Sequence, residues 1–224
     1  MEFTLLWAVL TAVALGWVGL RIWDERLPGD PFDLLIGAAL VALVVGRLTA
    51  MVSQGVSPIT NPGDIIVIRG GVHTGAAAIT FLTALLWKTR EDRTALDALA
   101  PAILLALAGW HAGCLWRDAC LGAPSDLPWA WALPGSTVNR HPVEIYAAIG
   151  LALGGWLVAS LPWRIWLRAG SALVVASGVR LLTETMRPSI TGGPTRWYVA
   201  GMIAGVILVI AGPRLIRSRS RAPT

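Results

Sequence analysis

The sequence predicts an all-α membrane protein, a seven-transmembrane-helix bundle, on three observations. The 224 residues are 55% hydrophobic and 14% charged, whereas ordinary soluble domains are roughly 45–50% apolar and about 25% charged. Mean hydropathy is +0.66. The apolar residues gather in runs of the roughly 20 residues that a helix needs to cross a hydrocarbon core about 30 Å thick. A disordered chain, a disulfide-stapled secreted domain and a soluble enzyme wrapped in a charged surface are excluded by this pattern.

The expected spans are residues 3–21, 33–53, 71–88, 96–116, 142–161, 165–184 and 197–213. The first opens Met1-Glu2-Phe3 without a basic n-region and ends at Arg21-Ile22-Trp23 instead of a small-residue cleavage site, so a retained helix is expected. The second carries Gly46-Arg47-Leu48, and the third follows Gly70-Gly71-Val72-His73-Thr74-Gly75, whose glycines allow close backbone approach. The fourth leads into the longest connection, residues 109–139. Pro142 at the first helical position starts the fifth, and Glu144 in its first turn complements the helix dipole. The pairs Gly150/Gly154 and Gly201/Gly205 have the small-residue spacing of close helix packing. Trp7, Trp23, Trp87, Trp116, Trp129, Trp163 and Trp197 near span ends read as interfacial anchors.

Orientation follows from basic residues in alternate loops. One side holds 11 of the 18, among them Arg21, Lys88, Arg164 and Arg214, and the other holds 7. The richer side is expected in the cytoplasm, which places the N-terminus outside and the C-terminus inside. Residues 1–213 then form a single polytopic domain, followed by a basic cytoplasmic tail at 214–224. The net charge of +5 lies between apolar runs and not on one solvated face, so no nucleic-acid partner is expected.

Charged side chains near the bilayer centre cost at least about 2.5–3.5 kcal/mol and need a partner or a purpose. Arg47, His73, His111, His141, Glu144, Tyr146, Arg180, Glu184 and Arg187 all fall in the outward halves or at the outward ends of their spans. They predict a polar cavity open to the outer leaflet. The inward half shows no comparable cluster, as a transporter's path would require. Arg180, Glu184 and Arg187 share one helical face, where Glu184 can pair with either arginine and leaves one unneutralised. They form either an internal salt bridge or an anion clamp. The long connection, with Arg117, Asp118, Gly122 and Asp126, is expected to be a lid or substrate groove between the fourth and fifth helices. Cys114 and Cys120 are read, in this order, as a short disulfide, buried thiols or a nucleophile.

Through these residues the sequence resembles the prolipoprotein diacylglyceryl transferases, bacterial inner-membrane enzymes of lipoprotein biosynthesis. The likeness runs over about 140 residues. It is carried by Gly46-Arg47-Leu48, the His73 motif, Gly113-Cys114 through Cys120-Leu121-Gly122 to Trp129-Ala130, Arg140-His141-Pro142 with Glu144 and Tyr146, and Arg180, Glu184 and Arg187. It implies a multi-pass enzyme that moves the diacylglyceryl group of phosphatidylglycerol to the lipobox cysteine of a preprolipoprotein and releases glycerol phosphate. His73, Arg180 and Glu184 are the implied catalytic residues, with His73 handling protons and Glu184 orienting the arginines. Arg47, His111, Gly122, Arg140, His141, Glu144, Tyr146 and Arg187 are the implied substrate and phosphate ligands. No metal or organic cofactor is expected.

In the family's pattern His111 stands at an arginine, Cys114 at an asparagine and Ala119 at a glutamate. A tyrosine-bearing segment before the first helix has no counterpart, because the chain is expected to enter the membrane almost at Met1. A non-catalytic relative that binds phospholipid or lipoprotein signal segments is the alternative. A small transporter ranks below it.

Overall fold

Long runs of Ala, Leu and Val become helices, and small residues set how closely those helices approach. The computed structural model describes residues 4–23, 30–66, 71–116, 120–187 and 194–219. These contain α1 (Thr4–Ile22), α2 (Pro31–Ser53), the single turn α3 (Gly63–Ile66), α4 (Thr74–Lys88), α5 (Thr94–Ala112), a 3-10 turn (Gly113–Trp116), α6 (Val143–Ala159), α7 (Leu167–Glu184) and α8 (Thr195–Arg219). The described residues form no strand beyond isolated bridges from Arg140 to Pro124 and Trp131. Each expected apolar run holds a helix with ends within a few residues, except that α8 continues past 213 to Arg219. The far end of the expected tail, 220–224, lies outside the described residues, as do Arg69, Gly70, Arg117, Asp118 and Ala119.

Among the described residues three helical stretches are long and apolar enough to cross a membrane: Pro31–Ser53, Thr94–Leu115 and Thr195–Gly212. Leu6–Ile22, Thr74–Lys88 and Val143–Ala159 are shorter and apolar. The chain divides into two compact units, one of residues 1–26 and 97–224 and the other of residues 27–96.

In the larger unit α1 lies against α5 through a seam of small residues. Gly16 and Gly19 face Ala106 and Ala102, while Gly109 and Gly113 face Thr11 and Ala8. Thr11 Oγ1 donates to Gly109 O at 3.0 Å across this seam. Ala100, Leu104, Ala108, Leu151, Val158 and Ala172 form the core between α5, α6 and α7. Gly150 and Gly154 seat Val179 and Val175, and Gly205 meets the Gly170 carbonyl, so both small-residue spacings serve helix packing.

Asp97, which the sequence reading passed over, organises the end of α5 remote from His111. Its two carboxylate oxygens accept from Trp166 N at 2.7 Å and Ala169 N at 2.8 Å, satisfying the first turn of α7. Trp166 adopts φ 69° at this junction. Nearby, Arg168 donates to Leu161 O at 3.0 Å and Ala159 O at 2.9 Å and stacks on Trp163. Asp97 and Arg168 are thus both committed to closing helix termini. Asp97→Ala should lower stability by about 2–3 kcal/mol, because two partly buried N–H groups lose a charged acceptor. Asp97→Asn should lose less, and thermal unfolding of the detergent-solubilised chain reads both.

The smaller unit packs α2 on α4. Asp30 caps α2 by accepting from Phe32 N at 2.9 Å, with Pro31 at its start. Gly46 lets α2 approach Val72 and Ala77, each of which an added Cβ would meet within 2.8 Å.

Candidate functional site

Four helices of the larger unit bring ionisable groups to one place. The last turn of α5 carries His111, the first turn of α6 carries Glu144, α7 carries Arg180 and Glu184, and Arg187 follows just beyond its end. Near the start of α8, Tyr198 completes the group. Glu144, with a side chain only 9% exposed, is its hub. Its carboxylate meets His111 Nδ1 and Arg187 Nη2 directly and lies 3.7 Å from Arg180 Nη1. Glu184 lies 3.3 Å from Arg180 Nη2 and 4.0 Å from Arg187 Nε. The Tyr198 hydroxyl accepts from Arg180 Nε and Nη2 at 3.4 Å, and its ring lies under the guanidinium.

This geometry corrects the expected charge balance. Glu184 does pair with both arginines, but Glu144 adds a second carboxylate, so neither guanidinium is left without a counter-ion. Hydrogen bonding is less complete. Arg180 Nη1 and Arg187 Nε are buried and make no hydrogen bond to the described residues. Burial draws the Arg187 guanidinium below its usual pKa, with Tyr198 acting in the opposite direction; a guanidinium still keeps its charge at neutral pH. Two fixed cations therefore present unsatisfied N–H donors, which an anionic oxygen would complete.

The connection before α6 is pinned to this cluster. A disulfide joins Cys114 to Cys120, the first of the alternatives open from sequence. Glu144 N donates to Cys120 O at 3.1 Å, Gly122 N to His141 O at 2.8 Å and Ala123 N to Met186 O at 2.8 Å. Arg140 Nη1 donates to Gly122 O at 3.1 Å, so this arginine ties the loop down. Pro142 is the cap residue of α6 and stands one position before its first turn. Tyr146 accepts from Trp129 Nε1 at 2.6 Å and lies 3.5 Å from His141 Nδ1. A cavity of about 170 Å³ opens beside the disulfide, lined in part by Leu115, Leu121, Trp131 and Leu133.

Gly122 serves loop packing. A Cβ there would sit 2.3 Å from Val143 Cγ2 and 2.4 Å from Met186 O. The second contact is with backbone and cannot swing aside. Gly122→Ala should therefore lower stability by about 1–3 kcal/mol. Gly63→Ala, with nothing within 4 Å, is the control expected to leave the melting temperature unchanged.

In the smaller unit Arg47, only 4% exposed, donates to Asp64 O and Gly71 O, both at 2.9 Å. Its guanidinium thus holds the backbone that leads to His73. His73 N donates to Gly46 O at 3.0 Å. The His73 ring caps α4, Nδ1 accepting from Ala76 N at 3.1 Å, which leaves the neutral ring's proton on Nε2.

The structure thus brings together His111, Glu144, Arg180, Glu184 and Arg187 in one network, and Gly122, Arg140, His141 and Tyr146 in the adjoining loop. It places Arg47 and His73 in the other unit. Tyr198 escaped the sequence reading. The signal for it was composition, since the chain has only two tyrosines and this one follows Arg196-Trp197 at the start of an apolar run. Among the described residues no three His, Cys, Asp or Glu side chains gather as metal ligands.

Comparison with known proteins gives one consistent result. A family model described as prolipoprotein diacylglyceryl transferase matches residues 3–217. A phosphatidylglycerol-prolipoprotein diacylglyceryl transferase of Polynucleobacter asymbioticus is 32% identical over 70% of this chain and 65% of its own length. Its counterpart in Polynucleobacter necessarius is 31% identical over 69% and 63%. That of Chromohalobacter salexigens is 28% identical over 96% and 86%. The chain thus spans just under two thirds of the first two relatives.

Proposed function

Because the chain belongs to the prolipoprotein diacylglyceryl transferase family, we propose that it transfers the diacylglyceryl group of phosphatidylglycerol to the lipobox cysteine thiol of a preprolipoprotein. The observation that carries this reading is the pair of partly buried guanidiniums, Arg180 and Arg187, each with a buried nitrogen that no group among the described residues satisfies. A phosphate oxygen is a strong, geometrically suited acceptor for such donors. As the carbon–oxygen bond of the lipid breaks, charge grows on the departing phosphate, and donors fixed in advance stabilise that charge without rearranging.

Arg180 and Arg187 bind the phosphate, and Glu184 and Glu144 hold the two forks in place. Glu144 is an anion and acts on the phosphate through its arginines. His73, with its proton on Nε2, donates to the substrate. Arg47 fixes the segment that carries His73. Gly122, Arg140, His141 and Tyr146 shape the loop over the reacting group, and His111 completes the set. The chain crosses the bacterial inner membrane seven times, with its N-terminus outside, the basic C-terminal end in the cytoplasm and the site facing the outer leaflet. A disulfide between Cys114 and Cys120 suits an oxidising outer compartment.

The test is a purified assay with phosphatidylglycerol micelles and a lipobox peptide. The expected products are a peptide heavier by one diacylglyceryl group and free glycerol phosphate in equal amount. One observation favours a second reading, a relative that binds phospholipid without transfer: Glu144 and Glu184 already neutralise both arginines. Lipid retention without release of glycerol phosphate would establish that reading and contradict the first.

A further inference from the structure

We propose that Tyr198 is a positioning residue for the transfer: its hydroxyl closes the two-pronged edge of Arg180 and so commits Nη1 of that guanidinium to the departing phosphate. The assignment rests on the reaction proposed above and adds to it the residue that decides which side of the arginine the phosphate meets.

Small residues bring α8 onto α7. A Cβ on Gly205 would meet the Gly170 carbonyl at 2.7 Å, and one on Gly201 would run into Ser177 Oγ, so the backbones approach as only small residues permit. Because the numbering falls along α8 as it rises along α7, the two helices run antiparallel. Tyr198 stands three residues before Gly201, and Arg180 three residues after Ser177. Each step is about one helical turn, so the two side chains arrive at the same level and meet.

A guanidinium grips a phosphate with two parallel N–H groups only along an edge of its plane. The edge from Nε to Nη2 is filled, since the Tyr198 oxygen accepts from both nitrogens at 3.4 Å. Arginine has hydrogens to give and no lone pair to offer, so this oxygen accepts wherever its own hydrogen points. Glu184 also takes Nη2, at 3.3 Å, which engages the neighbouring edge. Left over is Nη1, 3.7 Å from Glu144 and without a hydrogen-bond partner among the described residues. The Tyr198 ring lies beneath the guanidinium, its centroid 5.6 Å from Cζ, and supports the plane from one face. Being neutral, the hydroxyl fills the edge without upsetting the balance of two carboxylates against two arginines.

The consequence is kinetic. An open edge would grip the intact lipid, and binding of the ground state lowers KM without raising kcat. With that edge closed, Arg180 keeps Nη1 for the oxygen on which charge grows as the carbon–oxygen bond breaks.

The test is Tyr198→Phe in the full chain, which keeps the ring under Arg180 and deletes the hydroxyl, assayed with phosphatidylglycerol micelles and a lipobox peptide. Its kcat should fall by about tenfold, the order expected for one hydrogen bond to a charged group. KM for phosphatidylglycerol should fall as well, and glycerol phosphate should inhibit at lower concentration. In a chain already carrying Arg180→Ala, Tyr198→Phe should change the rate no further, because the hydroxyl acts through that guanidinium. Inorganic phosphate, titrated calorimetrically into both folded proteins, reads the edge without catalysis and should bind the variant more tightly. An unchanged kcat, a raised KM, or an equal loss of rate in the Arg180→Ala background would overturn the assignment. If the wild type transfers nothing, the reaction proposed above falls, and the phosphate titration decides the closure of Arg180 by itself: tighter binding by Tyr198→Phe upholds it, and equal binding overturns it.

Discussion

Glu144→Ala should be among the most destabilising single substitutions in the chain, lowering stability by about 3–5 kcal/mol, because it removes one of the two carboxylates that balance Arg180 and Arg187 in a largely buried charge cluster. Glu144 is 9% exposed and is shared by His111, Arg180 and Arg187. Without it both arginines depend on Glu184 alone, across 3.3 and 4.0 Å. Glu144→Gln keeps the shape but not the charge and should fall between wild type and alanine. Glu91 supplies the contrast. Its pair with Arg90 has side chains 87% and 53% exposed, and such surface pairs contribute at most about 1 kcal/mol. Glu91→Ala should leave the unfolding midpoint close to wild type, and chemical denaturation in detergent would rank all three variants.

Arg180→Ala should lower the transfer rate by about 10²–10³-fold, the usual cost of deleting one fixed donor from a developing oxyanion. Arg180 is suited to that role because Glu184, Glu144 and Tyr198 hold the guanidinium while Nη1 has no hydrogen-bond partner among the described residues. Arg180→Lys should not restore the rate. An ammonium carries the charge but cannot bond Glu184, Tyr198 and a phosphate oxygen in one plane. Arg140→Ala tests specificity of effect, since that arginine bonds the Gly122 carbonyl. Its rate should fall much less than that of Arg180→Ala. Initial rates at saturating phosphatidylglycerol separate these variants.

What could be read from the sequence divides along physical lines. The helices were legible because each is a local property, an apolar run of sufficient length bounded by polar or basic residues. The spacing of Arg180 and Glu184 also revealed their pairing, since residues four apart on a helix are neighbours. Glu144 was legible as a first-turn acid and as a member of the outward polar cluster, but not as the carboxylate that joins its members. Its partners lie 33 to 43 positions away, and no local pattern encodes such a contact. Arg47 and Arg140 illustrate the converse limit. A buried arginine reads as a ligand for an anion, yet both are engaged by main-chain carbonyls, which a sequence does not position. Gly122 was expected, from the family resemblance, to lie against the substrate. The partner turned out to be Val143 and Met186. Asp97 and Tyr198 were missed because each gains its meaning only from a helix that arrives from a distant part of the chain.

The proposed reaction is tested most directly in cells. A bacterium depleted of its own transferase would express this chain together with a reporter lipoprotein, and intact mass would be measured on the purified reporter. The account predicts a reporter carrying one thioether-linked diacylglyceryl group on its lipobox cysteine, lost again when Arg180→Ala replaces the wild-type chain. An unmodified reporter, with the wild-type chain folded and inserted in the membrane, would contradict it.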